Sequence, residues 1–287
     1  MFFIKSALVI GLPPAVSSLL ILLVASLASK RGQLWLSRLL TGLAVAVGYS
    51  IGHRIATGTL TLVPHSSEQW LPLLGLAVGV LSAIENFPKL PKWLGLIWKY
   101  LLGFAGISAL LLPSTVLTTT AKVAWIFALS IAATLVWSGL DAFAEREASP
   151  LLPFSWSLVA AMGSAALFIA HSAVLSQLSG VLAATLGGTF VFVALQRKWS
   201  LAKGAAGVFA ILLFGIGVNG IFYADLPLFS AILIWLSPLA SWVRTLIETK
   251  GLPAWAQVIS QLSTTFILAA CGVGFAVYKL GLPQGGY

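Results

Sequence analysis

Charge is what this sequence has least of. Only 8% of its 287 residues are Asp, Glu, Lys or Arg, and seven of those are acidic. Soluble domains carry about 25% charged residues. A chain that is 59% hydrophobic, with a mean hydropathy of +1.03, has too little polar surface to cover a water-soluble fold. A single cysteine, Cys271, excludes a disulfide or a cysteine metal centre within one chain and reads as a small buried apolar residue. Catalytic signatures are missing too: no HExxH, no Walker loop, no GxSxG and no second thiol. No cofactor is implied by motif. His53, His65 and His171 lie on different segments, so a metal or haem site would depend on the fold to gather them.

What is present is a series of apolar blocks, each near the ~20 residues that cross a bilayer at 1.5 Å rise per residue. Ten spans are expected, at about 6–28, 34–54, 68–86, 94–112, 122–143, 155–175, 180–196, 202–223, 228–247 and 254–279. The fold class is all-α: a polytopic membrane bundle with short loops, in one transmembrane domain over 1–287. Five spans precede Ser149–Pro153 and five follow, which permits an inverted 5+5 arrangement with pseudo-halves 1–148 and 149–287. The N-terminal block reads as a retained first span. Its Pro13-Pro14 pair is expected to disrupt the helix and free backbone carbonyls. Ser66 stands three residues ahead of Gln69, which predicts a capping box before the third span.

Positive charge orients the chain. Twelve of the sixteen Lys and Arg residues follow odd-numbered spans. By the positive-inside rule those loops face the cytoplasm and both termini lie outside, in the cytoplasmic (inner) membrane of a bacterium. Trp35, Trp93, Trp98, Trp137, Trp156, Trp199, Trp242 and Trp255 fall near the same ends, as an interfacial belt would. The net charge of +9 does not suggest nucleic acid, because the basic residues are scattered singly or in pairs.

Three of the seven acids, Asp141, Glu145 and Glu147, crowd the end of the fifth span. Asp141 and Glu145 share a helix face, lack a basic residue at i±3 or i±4, and oppose the helix dipole. Compensation must come from elsewhere, with Lys30, Arg31, Arg38, Lys89, Lys92, Arg197 and Lys198 as candidates. We read the cluster as structural; the alternative is an entry point for a cation or proton. Glu85 is expected to pair with Lys89.

Polar residues inside spans carry more weight, because they are expensive against lipid. Tyr49 and His53 share a face of the second span. Gly48 and Gly52 form a small-xxx-small pair beside them. Arg54 follows; His171 falls in the outer half of the sixth span, Asn219 in that of the eighth, and Asp225 just beyond. Their shared depth suggests an outer vestibule that takes substrate. Gln257, Ser260, Gln261 and Thr264 make a polar stripe on the last span, expected to bond a neighbouring helix.

The leading functional reading is a permease or channel-like transporter of a small solute. A non-catalytic accessory or scaffolding subunit is the alternative, docking other membrane subunits through glycine- and tryptophan-rich faces. A membrane-embedded lipid-processing enzyme is third. The lipid bilayer is the expected partner in every case.

Overall fold

The computed structural model describes residues 2–82, 91–196, 199–202, 204–248 and 253–282, with the side chains of 2–7 and of Lys92 outside the description. Among these residues the chain is helical without a strand: α1 (Phe2–Lys30), α2 (Leu34–Thr57), α3 (Trp70–Leu81), α4 (Lys92–Leu111), α5 (Thr119–Arg146), α6 (Leu151–Ile169), α7 (Ala173–Leu195), α8 (Ala205–Tyr223), α9 (Leu228–Leu236), α10 (Trp242–Glu248) and α11 (Ala254–Leu280). Among the described residues nine helical spans are long and apolar enough to cross a membrane, α9 and α10 counting together as one. The all-α polytopic class is therefore what the chain adopts. Of the expected third span, 68–86, the described residues hold α3 and the 3-10 turn before it, Ser67–Leu81, while 83–86 lie outside the description. The twelve residues of α3 extend only about 18 Å.

Short connections alternate the helices between two faces. The Arg146 face holds the end of α5 and the start of α8, tied where the Ser200 hydroxyl donates to Ala144 O at 3.0 Å. The opposite Ser67 face holds the 3-10 turn Ser67–Gln69 and the end of α8. There the Tyr223 hydroxyl donates to Leu110 O at 2.9 Å.

The bundle is built around α8, which packs against α2 to α7 and α9. Every residue from Ala205 to Gly220 is buried. Its glycines are used within the chain: a Cβ on Gly207 would strike the Trp137 ring, and one on Gly217 the Trp235 ring. Trp235 stacks on Phe214 with ring centroids 4.4 Å apart and donates its indole N–H to Leu213 O at 3.2 Å. Trp156 stacks on Phe209 at 4.9 Å. Trp137 and Trp156 are thus core residues and depart from the expected interfacial belt. Trp35, Trp93 and Trp255 remain exposed near the N-terminal ends of α2, α4 and α11.

A second tight junction joins α1, α2 and α7. Side chains on Gly48 and Gly52 would run into Thr185, Val181 and Pro14, and one on Gly188 into the Ala15 carbonyl. The Ser18 hydroxyl crosses this junction to Thr185 O at 3.0 Å. The small-xxx-small pair does admit its neighbours closely, from two helices at once.

Several local expectations change. The helix α1 runs unbroken through Pro13-Pro14. A membrane helix whose neighbours pack this closely tolerates lost backbone bonds. The break falls in the ninth span instead, where α9 gives way to a 3-10 turn over Ser237–Ser241 and then α10. Pro238 has no N–H for Ile234 O, and the Ser237 hydroxyl donates to that carbonyl at 2.8 Å. The capping box does not form. Ser66 donates to Glu68 Oε1 at 2.7 Å, while Gln69 Oε1 accepts from the His65 N–H at 2.9 Å and anchors the preceding loop. Cys271 is exposed, off the stripe of Gln261, Thr265, Ala269, Gly272 and Ala276 that α11 buries. The Glu85–Lys89 pair lies outside the described residues.

Candidate functional site

Two of the residues expected in a vestibule meet through the segment that the sequence marks only as a capping box. His53 is buried near the end of α2 and donates Nε2–H to the Glu68 carbonyl at 3.1 Å. The Ser67 hydroxyl donates to Oδ1 of Asn219, whose amide N–H bonds Gly215 O at 2.9 Å. The 3-10 turn Ser67–Gln69 is therefore a polar plug between α2 and α8. Tyr49 lies one turn below, fully buried, its ring centroid 6.2 Å from that of His53. Its hydroxyl has no hydrogen-bond partner among the described residues.

Arg54, His171 and Asp225 do not join this cluster. All three are exposed, and among the described residues no ion pair links Arg54 to Asp225. His171 lies in the turn between α6 and α7 rather than inside a span, with φ 60°, and Asp225 in the turn after α8 has φ 53°. They are the only non-glycine residues at positive φ among those described. His and Asp are among the side chains enriched in that region. The α6–α7 turn is closed by Ser172, whose N–H bonds Leu167 O and whose hydroxyl accepts from the Leu175 N–H. Depth in the sequence grouped these residues; backbone geometry accounts for two of them.

The acidic cluster is compensated from outside its helix, and two of its partners, Lys99 and Arg244, are not among the candidates named above. Lys99 of α4 reaches Asp141 Oδ2 at 2.6 Å, with side chains 11% and 6% exposed. Lys99 also lies 5.7 Å above the Trp137 ring. Arg244 of α10 pairs with Glu147 at 2.9 Å. Glu145 is exposed beside them. Lys30, Arg31 and Arg38 are exposed, whereas Lys89, Arg197, Lys198 and the Lys92 side chain lie outside the description. Lys99 could not be chosen by loop position, because it enters from two turns inside α4.

A second polar group lies at the broken ninth span. Gln261 and Thr265 of α11, Ser241 of the 3-10 turn and Trp156 of α6 are all buried. The Gln261 amide N and O, the Thr265 and Ser241 hydroxyls and the Trp156 indole N–H have no partner among the described residues. The rest of the expected α11 stripe is satisfied locally: Ser260 bonds Gln257 O, and Thr264 bonds Ser260 O at 2.6 Å.

An apolar cleft of about 460 Å³ separates α5 from α9, walled by Trp125, Leu135, Phe214, Ile232 and Leu239 among others, with no titratable side chain in its lining. Among the described residues no three His, Cys, Asp or Glu side chains gather as a metal site would require. Compared with known proteins, the chain matches no family model and no curated sequence.

Proposed function

We propose that this chain is a permease or channel-like carrier of a small solute. One observation carries the reading: the ninth span, one helical run over Leu228–Glu248, departs from α-helical winding inside a packed bundle, with a 3-10 turn over Ser237–Ser241 between α9 and α10. Irregular backbone at membrane depth is tolerated where protein or an aqueous cavity satisfies it, and carriers place interruptions of their helices at solute sites. The unpartnered polar groups of Gln261, Thr265 and Ser241 beside this break give it chemistry. The His53–Glu68 and Ser67–Asn219 bonds would then close the bundle on the Ser67 face. Orientation follows charge, with the Arg146 face in the cytoplasm of a bacterial inner membrane.

Purified protein in sealed liposomes tests this with a panel of radiolabelled polyols, amides, amino acids and inorganic ions. Uptake of at least one class above protein-free vesicles is expected; protein-free rates throughout the panel reject transport. For orientation, single cysteines at positions 31 and 63, in a Cys271→Ser background, are exposed to an impermeant thiol reagent on intact cells. Labelling at 63 alone is expected, and labelling at 31 reverses the assignment.

The accessory-subunit reading also has an observation in its favour: α8 is enclosed on all sides, with tryptophans filling its glycine notches. A rigid centre suits a scaffold. Mild-detergent purification separates the two, since a scaffold co-purifies with a partner at fixed stoichiometry and supports no uptake alone.

A further inference from the structure

The groups beside the broken span share one level. Gly272 of α11 lies against Ser230 O and Leu233 of α9, since a Cβ there would come within 3.0 Å and 3.4 Å of them. Gln261 is eleven residues earlier on α11, or about 16 Å along the axis at 1.5 Å per residue. From Leu233, the rest of α9 and the turn, at about 2.0 Å per 3-10 residue, carry the chain about 14 Å to Ser241, within one residue of that level. Thr265, four residues nearer on α11, comes level with Leu239. Gly163 of α6 faces Ile234, and Trp156, seven residues and about 10 Å nearer the start of α6, comes level with Ala240. The packing of α6 on α11, and of the turn on both, brings these levels together.

From this convergence we infer that Gln261, Thr265, Ser241 and Trp156 form a binding site for a small uncharged molecule that both donates and accepts hydrogen bonds, such as a polyol or an amide. The donor set selects the charge. A cation would find Gln261 Oε1 and two hydroxyls but would face the Trp156 N–H and the Gln261 NH₂. An anion would find those N–H groups but leave Gln261 Oε1 unpaired. A neutral molecule with both functions satisfies all of them. Arg244, three residues after Ser241, is balanced by Glu147 at 2.9 Å, while its buried Nε has no hydrogen-bond partner among the described residues and adds one more donor. Buried polar groups in proteins are mostly paired; Tyr49, Trp137, Ser138 and Ser230 hold unpartnered atoms elsewhere among the described residues, and here five such atoms from three elements share one level, as the lining of a polar ligand would. The inference deepens the carrier reading and rests on it for physiological meaning, but the binding is tested separately.

Protein labelled with ¹⁵N-tryptophan in detergent micelles is titrated separately with glycerol and with urea, the Trp156 indole resonance being assigned by Trp156→Phe. A saturable shift of that resonance is expected with one of them, while the exposed Trp35 indole does not follow it. Gln261→Leu should weaken the apparent affinity by about tenfold, as loss of one or two hydrogen bonds predicts. Should Gln261→Leu not fold, Thr265→Val makes the same test. Absence of a saturable shift with either probe, an exchange signal to water alone, or unchanged affinity in the variants overturns the site. Solute uptake into liposomes that survives Gln261→Leu removes the site and leaves the carrier reading standing. Saturable binding without uptake retains the site and removes the carrier reading.

Discussion

Lys99 and Asp141 form an ion pair that bridges α4 and α5 at 2.6 Å with both side chains almost fully enclosed. Burying two charges is costly, and neither is tolerable without the other. Lys99→Met should therefore destabilise the protein by about 3–5 kcal/mol, and Asp141→Leu by a similar amount. The double variant should recover most of that loss, because the uncompensated charge is gone. Thermal unfolding in detergent measures the three variants. If the double variant is no better than the worse single one, the pair is not a closed unit and the acid has another task.

How far the sequence reveals this arrangement depends on what sets each feature. Spans announce themselves through length and hydropathy, so the class and most helix positions were legible. The α6–α7 turn was not: it holds no proline or glycine, only His171 and Ser172. Pro13-Pro14 was a strong breaker signal in the wrong place, because packing of α1 against α2 and α7 outweighs it. Pro238 breaks its span with a weaker signal. The partner of Asp141 was hidden since Lys99 lies two turns inside α4, away from the candidate loop charges. His53 and Asn219 were found by polarity alone. Ser67, which joins Asn219 to the turn, read only as an interior residue of a capping box.

Adjacent glycines in α7 offer a test of the close approach. A Cβ on Gly188 would meet the Ala15 backbone carbonyl, which cannot swing aside, whereas one on Gly187 meets nothing within 4 Å. Gly188→Ala should destabilise by at least the ~1–3 kcal/mol of an overpacked core. Gly187→Ala should be neutral, or stabilising by up to about 1 kcal/mol from helix propensity. Equal melting temperatures for the two variants would mean that α1 and α7 do not pack as described.

His171 and Asp225 separate a turn role from a ligand role. Both hold positive φ, where glycine is at least as comfortable and a β-branched residue is strained by about 1–2 kcal/mol. His171→Gly and Asp225→Gly should leave stability and any solute uptake unchanged, while His171→Val should lower the melting temperature. Uptake lost in His171→Gly at unchanged stability would return this residue to a substrate site.

The break in the ninth span gives the sharpest distinction between a carrier and a scaffold. Pro238 denies Ile234 O its ordinary helical partner, and the Ser237 hydroxyl takes that place at 2.8 Å. Pro238→Ala restores an N–H to donate to Ile234 O and removes the ring clash that keeps the segment from continuing as α-helix. The backbone of Ser237–Ser241 should then relax toward a continuous α9–α10 helix, raising or preserving the melting temperature. A scaffold would gain from that change or be indifferent to it. A carrier that uses the broken turn to present Ser241 to Gln261 would lose its solute geometry, with uptake falling about tenfold for a barrier rise of about 1.4 kcal/mol. Uptake by Pro238→Ala at the unmodified rate, with stability raised, would show that the break is architecture alone and that solute passes elsewhere in the bundle.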